Sequence, residues 1–274
     1  MNAEKTSGPL IKAVQLQSLI AKGTVCVVDC RFSLADTEQG RVEYGEAHIV
    51  GAHYLHLNED LSGMQAEHGG RHPFPAADVF AARLATLGID KSTHVVAYDN
   101  SRFAFASRLW WMLRCLGMEQ VQVLNGGFSA WVESGGQINS APAESSECEP
   151  MAVEGFQNCL DRASMLKAQA LGAQLVDARE AERYQGLAEP IDPVAGHIPG
   201  AINVAWQKAS NEAGVAIERN QQKQLWEPLR TTDEIVVYCG SGVTACVDLL
   251  SLELAGYPLK KLYMGSWSDW CSYL

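Results

Sequence analysis

Four stretches of this chain occur twice, in the same order. Residues 24–29 (Thr-Val-Cys-Val-Val-Asp) have a counterpart in residues 174–179 (Gln-Leu-Val-Asp-Ala-Arg). Residues 46–52 (Glu-Ala-His-Ile-Val-Gly-Ala) match 195–201 (Ala-Gly-His-Ile-Pro-Gly-Ala), and 94–99 (His-Val-Val-Ala-Tyr-Asp) match 234–239 (Glu-Ile-Val-Val-Tyr-Cys). Residues 121–131, ending Gly-Gly-Phe-Ser-Ala-Trp, match 260–270, ending Gly-Ser-Trp-Ser-Asp-Trp. One such match is chance. Four in order, offset by roughly 140–150 residues, mark two copies of one module. Whatever architecture one copy adopts, the other adopts too, so function has to be sought where the copies differ.

Within each copy, short apolar β-branched runs alternate with helical patterns, at 82–87 and 105–116 in the first and at 220–229 and 245–254 in the second. Such alternation predicts an α/β fold of two tandem domains, each a mainly parallel sheet flanked by helices. The expected boundaries are an N-terminal domain over 1–137, a linker over 138–155 and a C-terminal domain over 156–274. The linker begins Ile-Asn-Ser-Ala-Pro-Ala-Glu-Ser-Ser-Glu-Cys-Glu-Pro, with little to bury, and reads as a surface segment free to wrap one domain. With 274 residues, 47% of them hydrophobic, the chain can bury one large core or two ordinary ones. The run 104–116, which contains Trp110-Trp111, is apolar enough to lie between its own sheet and the partner domain.

The copies part company at the end of one strand, where the first has Asp99 and the second Cys239. Cys239 is followed by Gly240-Ser241-Gly242-Val243-Thr244-Ala245, and a helical pattern opens at Thr244. Gly240 and Gly242 let the loop curl tightly. Backbone N–H groups of such a loop, with a helix N-terminus behind them, cradle an anion. An anion cradle around a thiol favours the thiolate, the nucleophilic form. In parallel α/β sheets ligands bind at the carboxyl ends of strands, where Cys239 falls. The other cysteines, at 26, 30, 115, 148, 159, 246 and 271, form no C-x-x-C pair and read as free thiols of a reducing compartment. Cys26 and Cys30 are expected to be buried thiols, and Cys246 and Cys271 buried and inert.

A net charge of −11 without a basic cluster argues against nucleic acid as a partner. No apolar stretch approaches the ~20 residues of a membrane span. After Glu4 and Lys5, the pattern Leu10, Ile11, Val14, Leu19, Ile20 reads as an amphipathic surface helix rather than a targeting segment, so a cytoplasmic location is expected.

With Cys239 in its loop, the paired modules and the repeated His-Ile-x-Gly-Ala element, the chain resembles the rhodanese superfamily, and specifically its tandem-domain sulfurtransferases. The resemblance covers nearly the whole length. It implies an active second domain and an inactive first copy, with Asp99 at the nucleophile's position and the first domain forming a wall of the cleft. Thiosulfate-type members carry basic residues after the cysteine, whereas Cys-Gly-Ser-Gly-Val-Thr-Ala looks like the branch that takes sulfur from 3-mercaptopyruvate. By position in Asp177-Ala178-Arg179-Glu180-Ala181-Glu182-Arg183-Tyr184, the resemblance implies that Arg183 binds the substrate carboxylate through a two-pronged fork, with Arg179 structural. A second arginine of that branch is missing here, where Glu189-Pro190 is followed by Ile191-Asp192. Arg71, in Gly70-Arg71-His72-Pro73, is the candidate replacement. His72 matches a histidine that the first domain brings to the active site; read alone, it is a surface-loop histidine. Asn58 stands near a position that is acidic in relatives, and an amide cannot act as a base there.

The expected chemistry is covalent sulfur transfer through a Cys239 persulfide. Gly240, Gly242, Val243 and Thr244 would surround the donor, Ser241 would bond the sulfur or assist protonation, and Thr244 would cap the helix. The acceptor would be cyanide in assays and a thiol or thioredoxin-type reductant in cells. No metal and no organic cofactor is implied. Thiosulfate is the alternative donor. A cysteine phosphatase would need an arginine in the loop, where this chain has Ala245 and Cys246, and a purely non-catalytic module would have no use for the intact Cys239 loop. His48 and His197 stand at matching places in both copies, which argues for turn histidines rather than catalytic ones. Trp110, Trp111, Trp131, Trp267 and Trp270 are expected in cores and interfaces.

Overall fold

The computed structural model describes residues 8–144 and 146–274. Glu4 and Lys5, with the rest of the first seven residues, and Ser145 of the linker lie outside the described residues. The apolar runs form the central strands Cys26–Asp29, Val95–Tyr98 and Val121–Leu124 in the first module, and Gln174–Asp177, Ile235–Tyr238 and Lys261–Tyr263 in the second. Each module has a five-stranded sheet, and every pairing within the two sheets is parallel. The first sheet runs Leu10–Ile11, Val121–Leu124, Val95–Tyr98, Cys26–Asp29, His53–Tyr54. The second runs Cys159–Leu160, Lys261–Tyr263, Ile235–Tyr238, Gln174–Asp177, Ile202–Asn203, the same order by position in the module. The expected architecture of two tandem α/β modules is what the chain forms.

Register carries the duplication to the residue level. Asp29 lies opposite Tyr98 in one sheet, and Asp177 opposite Tyr238 in the other. Both tyrosines are buried, and both hydroxyls accept a backbone N–H in the same way: Ile49 N–H reaches Tyr98 Oη at 3.3 Å, and Ile198 N–H reaches Tyr238 Oη at 3.1 Å.

Two-residue strands escaped the sequence reading because two residues make no period. Leu10–Ile11 is one of them. The run from Leu10 to Ile20, expected as a single helix, is an edge strand on Val121–Leu124 followed by the helix Ala13–Ala21. Ile11 is buried as a strand residue and Leu16 as a helix residue, while Val14 faces solvent. The segment after the first module pairs Ile138–Asn139 antiparallel with His48–Ile49, and Cys148 N–H then bonds the Ala85 carbonyl at 3.0 Å. Met151, Val153 and Phe156 pack on the core, Phe156 edge-on to Phe74.

A parallel sheet has two faces to cover, and the chain covers them differently. The outer faces carry separate apolar clusters, one around Leu16, Ile49, Val96 and Trp131, the other around Met165, Ile198, Val236 and Trp267. The inner faces share one cluster that runs through both modules. At its centre the helices Ala106–Cys115 and Ala245–Ala255 pack on each other, and all residues of Ala106–Cys115 except Arg114 are buried. Trp110 and Trp111 are fully buried in this seam. Truncating either aromatic in such a site costs about 3–5 kcal/mol. Each of these helices follows the loop after a central strand, so the seam that joins the modules also fixes the loops that begin at Asp99 and Cys239. No helix among the described residues is long and apolar enough to cross a membrane.

Candidate active site

Cys239 stands one residue beyond the strand Ile235–Tyr238 and is almost wholly buried, at the base of a cleft of about 660 Å³ between the modules. Its main chain is fixed on both sides: its N–H donates to Ser266 Oγ at 3.1 Å, and its carbonyl accepts from Trp267 N–H at 3.0 Å. Gly242 has φ +77°, and a Cβ there would lie 2.3 Å from the Met264 carbonyl oxygen, so no other residue fits this turn.

The first module shows what such a loop is built to hold. Asp99, at the position of Cys239, accepts four backbone N–H bonds with its own carboxylate. They come from Ser101 (2.8 Å) and Phe103 (3.2 Å) to one oxygen, and from Phe105 (2.9 Å) and Ala106 (2.8 Å) to the other. Burial pushes the Asp99 carboxyl above its ordinary range, while those four donors pull it back. The counterparts of the four donors are Ser241, Val243, Ala245 and Cys246. Among the described residues none accepts a bond from the N–H of Ser241, Val243 or Ala245; only Cys246 N–H is engaged, by the Val243 carbonyl at 3.1 Å. In the second module a thiol takes the place of the tethered carboxylate, in a loop whose build suits an anion.

A fully buried arginine from the first module sets the loop's shape. Arg108, on the helix Ala106–Cys115, donates to the carbonyls of Leu61, His72 and Gly242, each at 3.0 Å. Its guanidinium lies 3.8 Å from the centre of the Phe74 ring. Burial lowers its pKa to about 10, so it remains a cation at neutral pH. A peptide's C=O and N–H point in opposite directions, so drawing the Gly242 carbonyl toward Arg108 turns the Val243 N–H the other way. Sequence reading missed Arg108 as part of the site, since a single arginine in an apolar helix carries no motif.

The loop around residues 69–72 crosses from the first module onto the second. Gly69 N–H bonds Asp269 Oδ1 at 2.7 Å, and Arg71 N–H bonds Ser268 Oγ at 3.1 Å. His72 is buried, with Nδ1 2.8 Å from Ser241 Oγ. Burial, then the Arg108 and Arg71 charges, lower its pKa to about 3, so the ring that meets Ser241 is neutral imidazole. Of the two alternatives held open, the surface-loop histidine is ruled out: the domain interface buries it. Asn58 is exposed and does not line the cleft.

Arg71 and Arg183 reach the cleft wall from opposite modules. A Cβ built on Gly240 would lie 3.1 Å from Arg71 Nη2 and 3.5 Å from Arg183 Nη1. Arg183 is held by Glu189 (2.7 Å) and Asp192 (3.1 Å), and Arg71 pairs with Asp192 as well. Burial lowers the Arg71 pKa. Ile191, where a further arginine was absent, lines the same cleft. Arg179 is buried on Asp177 (2.7 Å) and Glu189 (3.0 Å), just as Arg31 is buried on Asp29 (2.6 Å) in the first module. An arginine used identically in both modules is a clasp at the strand end. Val243 and Thr244 line the cleft. Thr244 occupies the N-cap position of Ala245–Ala255, but its side chain makes no capping bond, contrary to expectation; its backbone is already helical there (φ −70°, ψ −17°), which turns the hydroxyl from the N–H groups ahead.

His48 and His197 each bond a tyrosine carbonyl, Tyr44 at 2.6 Å and Tyr184 at 2.8 Å, and stack on that tyrosine's ring. They are turn histidines. Trp110, Trp111, Trp131 and Trp267 are buried, and Trp270 is half-buried beneath Arg162. All eight cysteines are free. Burial raises the Cys30, Cys246 and Cys271 thiols and pushes Cys26 up to about 12, though Cys26 is only half-buried by exposure. Among the described residues one trio, Glu38, His56 and Glu59, has metal-like spacing, but its groups are already engaged by Arg41, the Thr37 carbonyl and a backbone N–H.

The Rhodanese-like domain family matches residues 12–134 and 162–273, once per module. A Pseudomonas aeruginosa protein named "Probable 3-mercaptopyruvate sulfurtransferase" is 41% identical over 97% of this chain and 95% of its own. A Gallus gallus protein named thiosulfate sulfurtransferase is 30% identical over 98% of this chain and 95% of its own. Among solved structures, 3-mercaptopyruvate sulfurtransferase from Leishmania major superposes with a TM-score of 0.86 at 27% identity, covering all of this chain and 76% of that one.

Proposed function

The chain belongs to the rhodanese-like family, and on that premise we propose that it is a sulfurtransferase that moves sulfur from 3-mercaptopyruvate to a thiophilic acceptor through a persulfide on Cys239. The observation that carries the reading is the pair of matched loops: a carboxylate fills the cradle in the first module, and a thiol takes that carboxylate's position in the second.

The reaction has two halves. Thiolate Cys239 attacks the sulfur of 3-mercaptopyruvate. The new S–S bond forms as the sulfur–carbon bond breaks, and pyruvate departs as its enolate, which then takes a proton. The N–H groups of Ser241, Val243 and Ala245 stabilise the charge on sulfur before and after transfer. The proton that the enolate carbon takes is the donor's own thiol proton, left on the outer sulfur of the new persulfide, and Ser241, its hydroxyl held by neutral His72, relays it. Arg183 and Arg71 hold the donor's carboxylate beside Gly240. An acceptor thiolate, or cyanide, then attacks the outer sulfur and regenerates thiolate Cys239. A small thiol or a thioredoxin-type protein is the acceptor class that fits a cleft open between two modules. Thiosulfate is the second reading, favoured by the named thiosulfate relative and by the absence of an arginine at Ile191.

Mass spectrometry tests the mechanism. Incubation with 3-mercaptopyruvate adds one sulfur atom to the peptide containing Cys239, and Cys239→Ser adds none. Sulfur on another cysteine, or on none, overturns it. The ratio of kcat/KM for the two donors, expected to favour 3-mercaptopyruvate and to fall most for that donor in Arg183→Gly, decides between the readings.

A further inference from the structure

We propose that Asp192 is a positioning residue that joins Arg71 of one module to Arg183 of the other, making a two-arginine clamp for a carboxylate next to Cys239. The inference deepens the donor site proposed above and rests on that reading for the identity of the natural carboxylate.

The geometry is directional. Asp192 Oδ1 takes Arg71 Nη1, and Asp192 Oδ2 takes Arg183 Nη2 at 3.1 Å. Glu189 accepts Arg183 Nε at 3.2 Å and Nη2 at 2.7 Å, and it also holds the Asp192 backbone N–H at 3.1 Å. Glu189 and Asp192 together engage Nε and Nη2 of Arg183, and Asp192 also engages Nη1 of Arg71. The Asp192 side chain is only 2% exposed and does not line the cleft. Arg71 Nη2 and Arg183 Nη1 have no hydrogen bond to any of the described residues; they lie 3.1 Å and 3.5 Å from a Cβ built on Gly240, and the already engaged Arg183 Nη2 also lies at 3.5 Å. Gly240 leaves that space open, since a Cβ there would meet Arg71 Nη2 at 3.1 Å.

Two N–H edges converging on one point from different modules suit a planar carboxylate, which takes one bond on each oxygen. Arg71 arrives on a loop from the other module, and among the described residues Asp192 is its guanidinium's only ion-pair partner. Without Asp192 the long Arg71 side chain is free to leave Gly240. The same change removes one negative charge, so a simple electrostatic role and a positioning role pull in opposite directions. Losing the charge alone favours every anion. Losing the position disfavours the anion that needs both prongs.

The experiment uses two alkylating probes of equal size, iodoacetate and iodoacetamide, with Cys239 modification followed by mass spectrometry. Only iodoacetate carries a carboxylate, and neither probe depends on sulfur transfer. Relative to a free thiol, Cys239 is expected to prefer iodoacetate. Asp192→Asn is expected to reduce that preference roughly threefold or more, the loss of one held guanidinium contact. Arg71→Met is expected to lower it equally, and the double variant to lower it no further. An unchanged or increased preference in Asp192→Asn overturns the proposal. So does a fall in both alkylation rates by one common factor, which reports damage to the loop. Sulfur transfer is read separately on the wild-type protein: a preference for iodoacetate with no persulfide from 3-mercaptopyruvate refutes the donor and leaves the clamp standing.

Discussion

Replacing Arg108 by Met removes a buried cation whose partners are neutral. The methionine fills much of the same volume beside Phe74 and makes no hydrogen bonds. Three carbonyl oxygens, of Leu61, His72 and Gly242, lose donors at 3.0 Å. Hydrogen bonds to a charged group contribute about 1.5–3 kcal/mol each, so the gross loss is roughly 4–9 kcal/mol. Against this, the cation has no carboxylate partner among the described residues, and returning it to water in the unfolded chain relieves a desolvation penalty of several kcal/mol. The net destabilisation is about 3 kcal/mol. For a cooperative chain of this size that is a fall in Tm of about 6–12 °C. The loop also loses the anchor on Gly242, so kcat/KM is expected to drop by about tenfold or more under conditions where the variant is fully folded. Scanning calorimetry and steady-state kinetics read the two effects. A variant with wild-type Tm refutes the assignment of Arg108 as a structural tie. Normal kcat/KM at reduced Tm refutes its link to the Cys239 loop.

Asp99→Ala leaves four buried N–H groups without their acceptor, and is expected to cost about 3 kcal/mol or more with no gain of sulfur transfer; chemical denaturation measures it, and a loss under 1 kcal/mol contradicts the filled cradle. His72 binds its proton below about 3 in the folded protein and below 6.5 in the unfolded chain. Between those values the unfolded state holds more protons, so stability falls as the pH drops, by up to about 1.4 kcal/mol per pH unit. His72→Asn removes this contribution, and its Tm is expected to decline less steeply on acidification from pH 6.5; parallel curves for the two proteins argue against a neutral buried ring.

Much of the fold was legible because it rests on local pattern. Apolar runs such as Val95–Ala97 and Ile235–Val237 became central strands, and the repeat told that both sheets share one order. What lay beyond reach were the two-residue strands, too short to show a period, and hence the split of residues 10–20 into a strand and a helix. In the site, Cys239 and its glycines were visible because thiol, turn and helix start are contiguous. Arg108 was not, for its three acceptors come from residues 61, 72 and 242. Nor was the link from Arg71 to Asp192, which joins residues 121 positions apart.

The amino-acid sequence alone therefore determined the module, its duplication and the place where the copies differ, Asp99 in one and Cys239 in the other. The segments that carry them are each shorter than a dozen residues, where backbone preference and hydrophobic period act. The tertiary structure decided how the copies cooperate. It buried His72 against Ser241, drew the Gly242 carbonyl onto Arg108 and brought Arg71 to Arg183. These contacts join side chains far apart in the chain, and they exist only because the two modules bury one common apolar seam, which sets the distance between every pair of residues across it.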